Sequence, residues 1–153
     1  MAHSIEAKLK EMGVELDASA PAANYVPFTI HGDVLYVSGQ IPIGPNGIEG
    51  RGTLGDGMTV EEGQAAARRC AINVLAQAKA ALGDLDRITR ILKTQNFVAA
   101  TPDFTDHPEV ANGASDFFVE VLGDKGRHAR AAVGMSSLPR GVAVEVDAVI
   151  AFE

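Results

Sequence analysis

The chain has 153 residues, 46% of them hydrophobic and 22% charged, with a net charge of −7. This length suits a single domain with a well-filled core, and the charge argues against nucleic acid, whose binders draw most of their affinity from basic side chains on phosphates. The single cysteine excludes an internal disulfide and a cysteine metal cluster, and no apolar run is long enough to span a bilayer.

The opening "MAHSIEAKLKEMG" has no apolar signal region, so a cytoplasmic setting is expected. Ser4 to Gly13 predicts a short amphipathic helix: Ser4 caps it, Ile5, Leu9 and Met12 share a face, and Gly13 ends it. "DASAPAAN" then reads as a connector, which sets residues 1–24 apart from a main domain over 25–153. Residues 25–30 and 34–39 predict a hairpin around His31-Gly32-Asp33. Residues 43–57 hold six glycines and read as a loop with a tight Pro-Asn-Gly turn. No lysine follows in the phosphate-loop pattern, so a nucleotide site is not indicated.

Thr59 and Glu62 form a capping box that opens a long helix ending at Gly83. Val60, Ala67, Cys70, Val74, Ala78 and Leu82 make its apolar stripe, which marks Cys70 as an inert core residue. Arg68-Arg69 lies on this helix among acids and alanines and makes no basic patch. "RITRILKTQNFVAA" is a strand candidate. A second helix follows, with a capping box from Asp106 and Glu109, an early Pro108 and a stop at Gly123. Strands over residues 129–137 and 142–152 close the chain, joined by the turn Leu138-Pro139-Arg140-Gly141. Helices that follow strands suggest crossovers placing both on one sheet face, hence a two-layer α/β domain.

Side chains alternate between the faces of a strand. In the last strand Val142, Val144, Val146, Ala148, Ile150 and Phe152 form one face. Ala143, Glu145, Asp147, Val149 and Ala151 form the other, which is too apolar for a solvated surface. A partner subunit is the natural cover. Arg130 shares a face with Ala132 and Gly134, so it has room to hold a planar carboxylate by two parallel hydrogen bonds. Glu145 on the adjoining strand is either its ion-pair partner or a group that positions a water. Tyr25 reads either as a half-buried packing residue or as part of a cleft. His128 sits at a cleft mouth or at an exposed strand end. His3, His31 and His107 have no metal-ligand spacing.

Three blocks, "VSGQIP" at 37–42, "LKTQNFV" at 92–98 and "ARAAVGMSSLPRGVAVEVDA" at 129–148, with Asn112 and the Phe117-Phe118 pair between the last two, resemble the reactive intermediate deaminase family (Rid, YjgF-like, once called endoribonuclease L-PSP). The resemblance runs from about Tyr25 to the C-terminus. It implies a chorismate-mutase-like fold, a homotrimer whose sheets line a barrel with helices outside, and clefts between subunits. It implies hydrolysis of reactive 2-imino acids to 2-keto acids and ammonia, with no cofactor and no metal. By the same resemblance Arg130 pairs with the substrate carboxylate and Glu145 stands near the attacking water. Tyr25 and Gly39 line the pocket, and Asn112 lies near it. Ala132 replaces a cysteine frequent in the family, and the N-terminal helix and the 43–57 loop point to a divergent subgroup. The alternatives are a trimeric carboxylate-binding protein without turnover and, less favoured on charge, an endoribonuclease.

Overall fold

The computed structural model describes residues 4–21 and 23–153. His3 and part of the predicted connector lie outside these residues. The elements in chain order are α1 (Ile5–Glu11), β1 (Phe28–His31), β2 (Val34–Gln40), β3 (Ile43–Gly44), β4 (Gly47–Ile48), β5 (Thr53–Leu54), β6 (Gly57–Met58), α2 (Val60–Leu82), β7 (Ile88–Ala99), α3 (His107–Leu122), β8 (Ala129–Met135) and β9 (Val144–Phe152). The main sheet has the order β1-β2-β9-β7-β8. It is a mixed α/β fold, as expected, with α2 and α3 on one sheet face.

The hairpin forms, but β1 starts at Phe28 rather than at Tyr25. Its turn is Gly32-Asp33 alone, because His31 still pairs with Val34. The 43–57 segment is better ordered than a loop: it folds into two small ladders, β3–β4 and β5–β6. At the head of α2 the Thr59–Glu62 capping box is complete. The second expected box is absent, since Asp106 adopts φ −90 and ψ 36 and makes no side-chain cap bond. Pro108, with no N–H, removes one of the donors that such a cap would serve.

The last two strands correct the sequence reading. They are not neighbours: β7 lies between them, parallel to β8 and antiparallel to β9. The turn at 138–141 is there as a 3-10 turn over Pro139–Gly141, but the chain then passes over β7. Burial explains the exchange. Val144, Val146, Ala148 and Ile150 are all inaccessible under the helices, so β9 belongs at the sheet centre. The small, half-exposed β8 belongs at an edge.

Helix α2 is buried on more than its predicted stripe, with every residue from Cys70 to Ala78 inaccessible. Two polar residues in that stretch tie down irregular backbone, as buried polar groups must. Asn73 donates to the carbonyls of Ile41 and Ile43 at 2.9 and 3.0 Å, and Gln77 donates to that of Ser19 at 2.8 Å. The N-terminal helix packs onto the same core through Ile5 and Leu9.

Gly113 sets the approach of α3 to α2: a methyl there would lie 2.1 Å from the Gln64 carbonyl oxygen. Backbone on both sides leaves nothing flexible to yield. Gly113→Ala is expected to cost about 1–3 kcal/mol by overpacking, despite its better helix propensity. Thermal unfolding followed by circular dichroism checks this; an unchanged or raised Tm refutes it.

Candidate functional site

The site residues fall into two groups. The first lies where β2 meets β9. The register slips between Val37, opposite Ala148, and Gln40, opposite Val146, so Ser38 and Gly39 bulge out of the ladder. Ser38 is pinned there because its N–H and its hydroxyl both donate to the Pro27 carbonyl, at 2.9 and 3.0 Å. A methyl on Gly39 would lie 2.9 Å from the Glu145 carboxyl carbon, so glycine is what admits that carboxyl against the bulge. Tyr25, 48% exposed, shares with Gly39 a cleft of about 360 Å³, walled also by Gln40, Arg140 and residues 19–21. Burial, and then the nearby Asp147, raise the Glu145 pKa above its usual range. Burial raises Asp147 too, against the Gln95 N–H, 3.0 Å away, and the charge of Lys93. A carboxyl that holds its proton more tightly is a better proton acceptor once ionised.

The second group lies between β8 and α3. Arg130 is half-buried, and its register with Thr94 and Ala148 turns it toward the helices. There Nη1 donates to Ser115 Oγ at 3.0 Å and Nη2 to the Pro108 carbonyl at 3.2 Å. Asn112 sits half-buried on the same helix, one turn before Ser115. The ring of His128 bridges Ser115 Oγ, at 2.9 Å from Nε2, and the Gly126 carbonyl, at 2.6 Å from Nδ1. This replaces the expectation of an exposed strand-end histidine. Burial lowers the His128 pKa, and the Arg130 charge adds to that, against the Gly126 carbonyl.

The structure thus sets Gly39 against Glu145 and in one cleft with Tyr25, and sets Arg130 against the helix that carries Asn112, but does not join the two groups within one chain. Arg130 and Glu145 lie on opposite sheet faces with β7 between their strands. Two strand spacings across the sheet and three residues along it separate their backbones by roughly 14 Å. The intrachain ion pair held open by the sequence is therefore excluded. Sequence reasoning missed Ser115 altogether. Its only signal was helical spacing, three residues after Asn112 and on the same face. Cys70 is fully buried, with its thiol 3.4 Å from the Val144 carbonyl. Burial, with Glu145 second, raises its pKa well above the usual value, as suits an inert core thiol. Among the described residues, no three His, Cys, Asp or Glu are placed to hold a metal ion, and no helix is long and apolar enough to cross a membrane.

Residues 6–146 match the family described as "YjgF/chorismate_mutase-like, putative endoribonuclease". Protein TCP17 of Trypanosoma cruzi is 51% identical over 148 residues, which cover 95% of this chain and 92% of that protein. The crystal structure of protein Atu1372 from Agrobacterium tumefaciens superposes with a TM-score of 0.91 at 52% identity, covering 98% of this chain and 94% of that one. The structure of E. coli TdcF with bound serine superposes with a TM-score of 0.65 at 25% identity, over 89% of this chain and 94% of that one.

Proposed function

This chain belongs to the YjgF/chorismate-mutase-like family, and from that premise we propose that it hydrolyses reactive 2-imino acids to 2-keto acids and ammonia. The cleft is completed between two copies of the chain. One copy supplies Arg130 with Asn112, and the next supplies Glu145, Gly39 and Tyr25. The observation that carries this reading is the separation of the two groups: Arg130 pairs with no carboxylate, and Glu145 with no cation, among the described residues. Each half offers what the other lacks. The serine bound by TdcF has the substrate's outline, a carboxylate on a carbon that bears nitrogen.

The chemistry follows from the residues. Arg130 grips the carboxylate, which fixes the imine carbon and converts the attack of water into an oriented event. Glu145, ionised and poorly solvated, takes a proton from that water as its oxygen bonds to the carbon. The electron pair of the C=N bond moves to nitrogen, which receives the proton that Glu145 took from the water. The adduct's hydroxyl proton passes by the same route to the amine as the C–N bond breaks, and Glu145 is left ionised. The tetrahedral adduct thus expels ammonia, and the keto acid remains. No redox partner is required.

The decisive test is complementation. Arg130→Ala and Glu145→Gln subunits are unfolded together, mixed and reassembled. If the halves come from different copies, activity returns to roughly a quarter of the parent's for a cyclic trimer mixed at random. If both act within one chain, the mixture stays as inactive as its components. If neither acts, the single variants are already as active as the parent. Either result shows the cleft assignment to be wrong.

The proposed interface is the helix-free sheet face, where Tyr36 and Val133 stand 47% and 42% exposed in the single chain, together with the β8 edge that carries Arg130. Light scattering is expected to give a trimer. Val133→Glu is expected to shift it toward monomer, since a buried unpaired carboxylate is costly. A parent that is monomeric at micromolar concentration sinks both assembly and cleft.

A further inference from the structure

We propose that Ser115 and His128 are positioning residues that orient Arg130 for the substrate carboxylate, through a one-way chain of hydrogen bonds ending at the Gly126 carbonyl. The proposal rests on the reading of Arg130 given above. The direction of the chain follows from its end. A carbonyl only accepts, so the short contact to Gly126 O places the ring proton on His128 Nδ1. Nε2 of the neutral ring is then an acceptor, and the Ser115 hydroxyl donates to it. The Ser115 oxygen is left to accept from Arg130 Nη1. Each member thus fixes the next, and the Pro108 carbonyl holds the second nitrogen of the guanidinium. Two of the five N–H donors of Arg130 are spent on α3, which leaves about three for a ligand, in a plane that cannot swing.

The far end is built with equal care. A methyl on Gly126 would lie 2.2 Å from the Phe118 carbonyl oxygen, so only glycine lets the Gly126 carbonyl come within reach of the His128 ring. Phe118 packs edge-on against His128, with centroids 5.7 Å apart. Around the ring, α3 presents the neutral Ser115 and Phe118, the preceding turn presents Gly126, and Arg130 is the charged group whose field reaches it. A second proton on His128 turns Nε2 from acceptor to donor. Ser115 loses the partner that aims its hydroxyl, and a second cation faces Arg130. Carboxylate affinity is therefore expected to fall on the acid side of the ordinary histidine range, because the His128 pKa is lowered.

The test uses the assembled protein and 2-oxobutanoate, a stable keto acid of the product class, as ligand. Its Kd is measured by calorimetry across pH, in a Glu145→Gln background so that Glu145 does not titrate. Ser115→Ala is expected to weaken binding about tenfold, the usual loss for a hydrogen bond to a charged group. Ser115→Thr, which keeps the hydroxyl, is expected to restore it. His128→Phe keeps the edge-on packing and is expected to abolish the acid-side weakening. If Ser115→Ala and His128→Phe bind like the background protein at every pH while Arg130→Ala loses binding, the relay is wrong and the carboxylate reading stands. If Arg130→Ala itself binds normally, the carboxylate reading falls, and the relay with it. If these variants fail to assemble, the background protein still decides: a flat pH dependence through the acid range overturns the proposal.

Discussion

Arg130→Lys is expected to lower catalytic efficiency toward a 2-imino acid by about a hundredfold, with the assembly intact. Breaking one side of a hydrogen-bonded charge pair costs about 2–5 kcal/mol, and a tenfold change needs about 1.4 kcal/mol. Lysine keeps the charge but loses the flat fork. Arginine spends two donors on Ser115 and the Pro108 carbonyl and still faces the ligand with the rest. An ammonium has three donors on one atom and cannot satisfy α3 and a carboxylate in the same geometry. Steady-state loss of an imine generated in the assay, alongside light scattering, checks the prediction. A lysine variant that turns over like the parent shows that the guanidinium geometry is irrelevant and removes the main support for the cleft. A variant that is merely monomeric identifies Arg130 as an assembly residue.

Local signals are mixed guides, since the Thr59–Glu62 box forms while the equally local Asp106–Glu109 box does not, and pairings between distant segments are not legible in the sequence. The Thr59–Glu62 box is written within four residues, and it formed. The turn at 138–141 is equally local, yet it says only that the chain bends and not which strand it joins. The better guide to the place of β9 was its unbroken buried face from Val144 to Ile150, which suits a sheet centre. That position separates Glu145 from Arg130, so the intrachain pair failed for a topological reason and not a chemical one. Gly39 and Glu145 were placed in one pocket by resemblance, and the bulge at Ser38 and Gly39 supplies the physical reason for their contact. The buried roles of Asn73 and Gln77 depend on where residues 19 and 41–43 pass over α2. No periodicity in α2 encodes that.

Glu145→Gln is expected to lower turnover by about 10² or more, with KM little changed and with a Tm at pH 7 no lower than the parent's. The turnover loss follows from the amide's inability to take a proton. The stability claim follows from the direction of the pKa shift. Burial and Asp147 raise the folded-state pKa of Glu145 above its unfolded value. The proton is therefore held more tightly in the folded protein. The stability this contributes is fully present below the unfolded pKa of about 4.3 and is lost as pH rises through the raised folded pKa. Above that raised pKa the parent carries an ionised, half-buried carboxylate beside Asp147, and the amide removes that repulsion. Any advantage of the variant in Tm should thus close as pH falls below the carboxylate range, where the parent is already neutral. Thermal melts at several pH values beside steady-state kinetics test both halves. The same measurement separates function from architecture. An acid kept for an interface ion pair would leave turnover largely unchanged and lower Tm at neutral pH when replaced by an amide. An acid kept for proton transfer weakens the fold where it is charged and is retained for the reaction. Normal turnover with a lowered neutral Tm assigns Glu145 to the interface and moves the proton acceptor elsewhere.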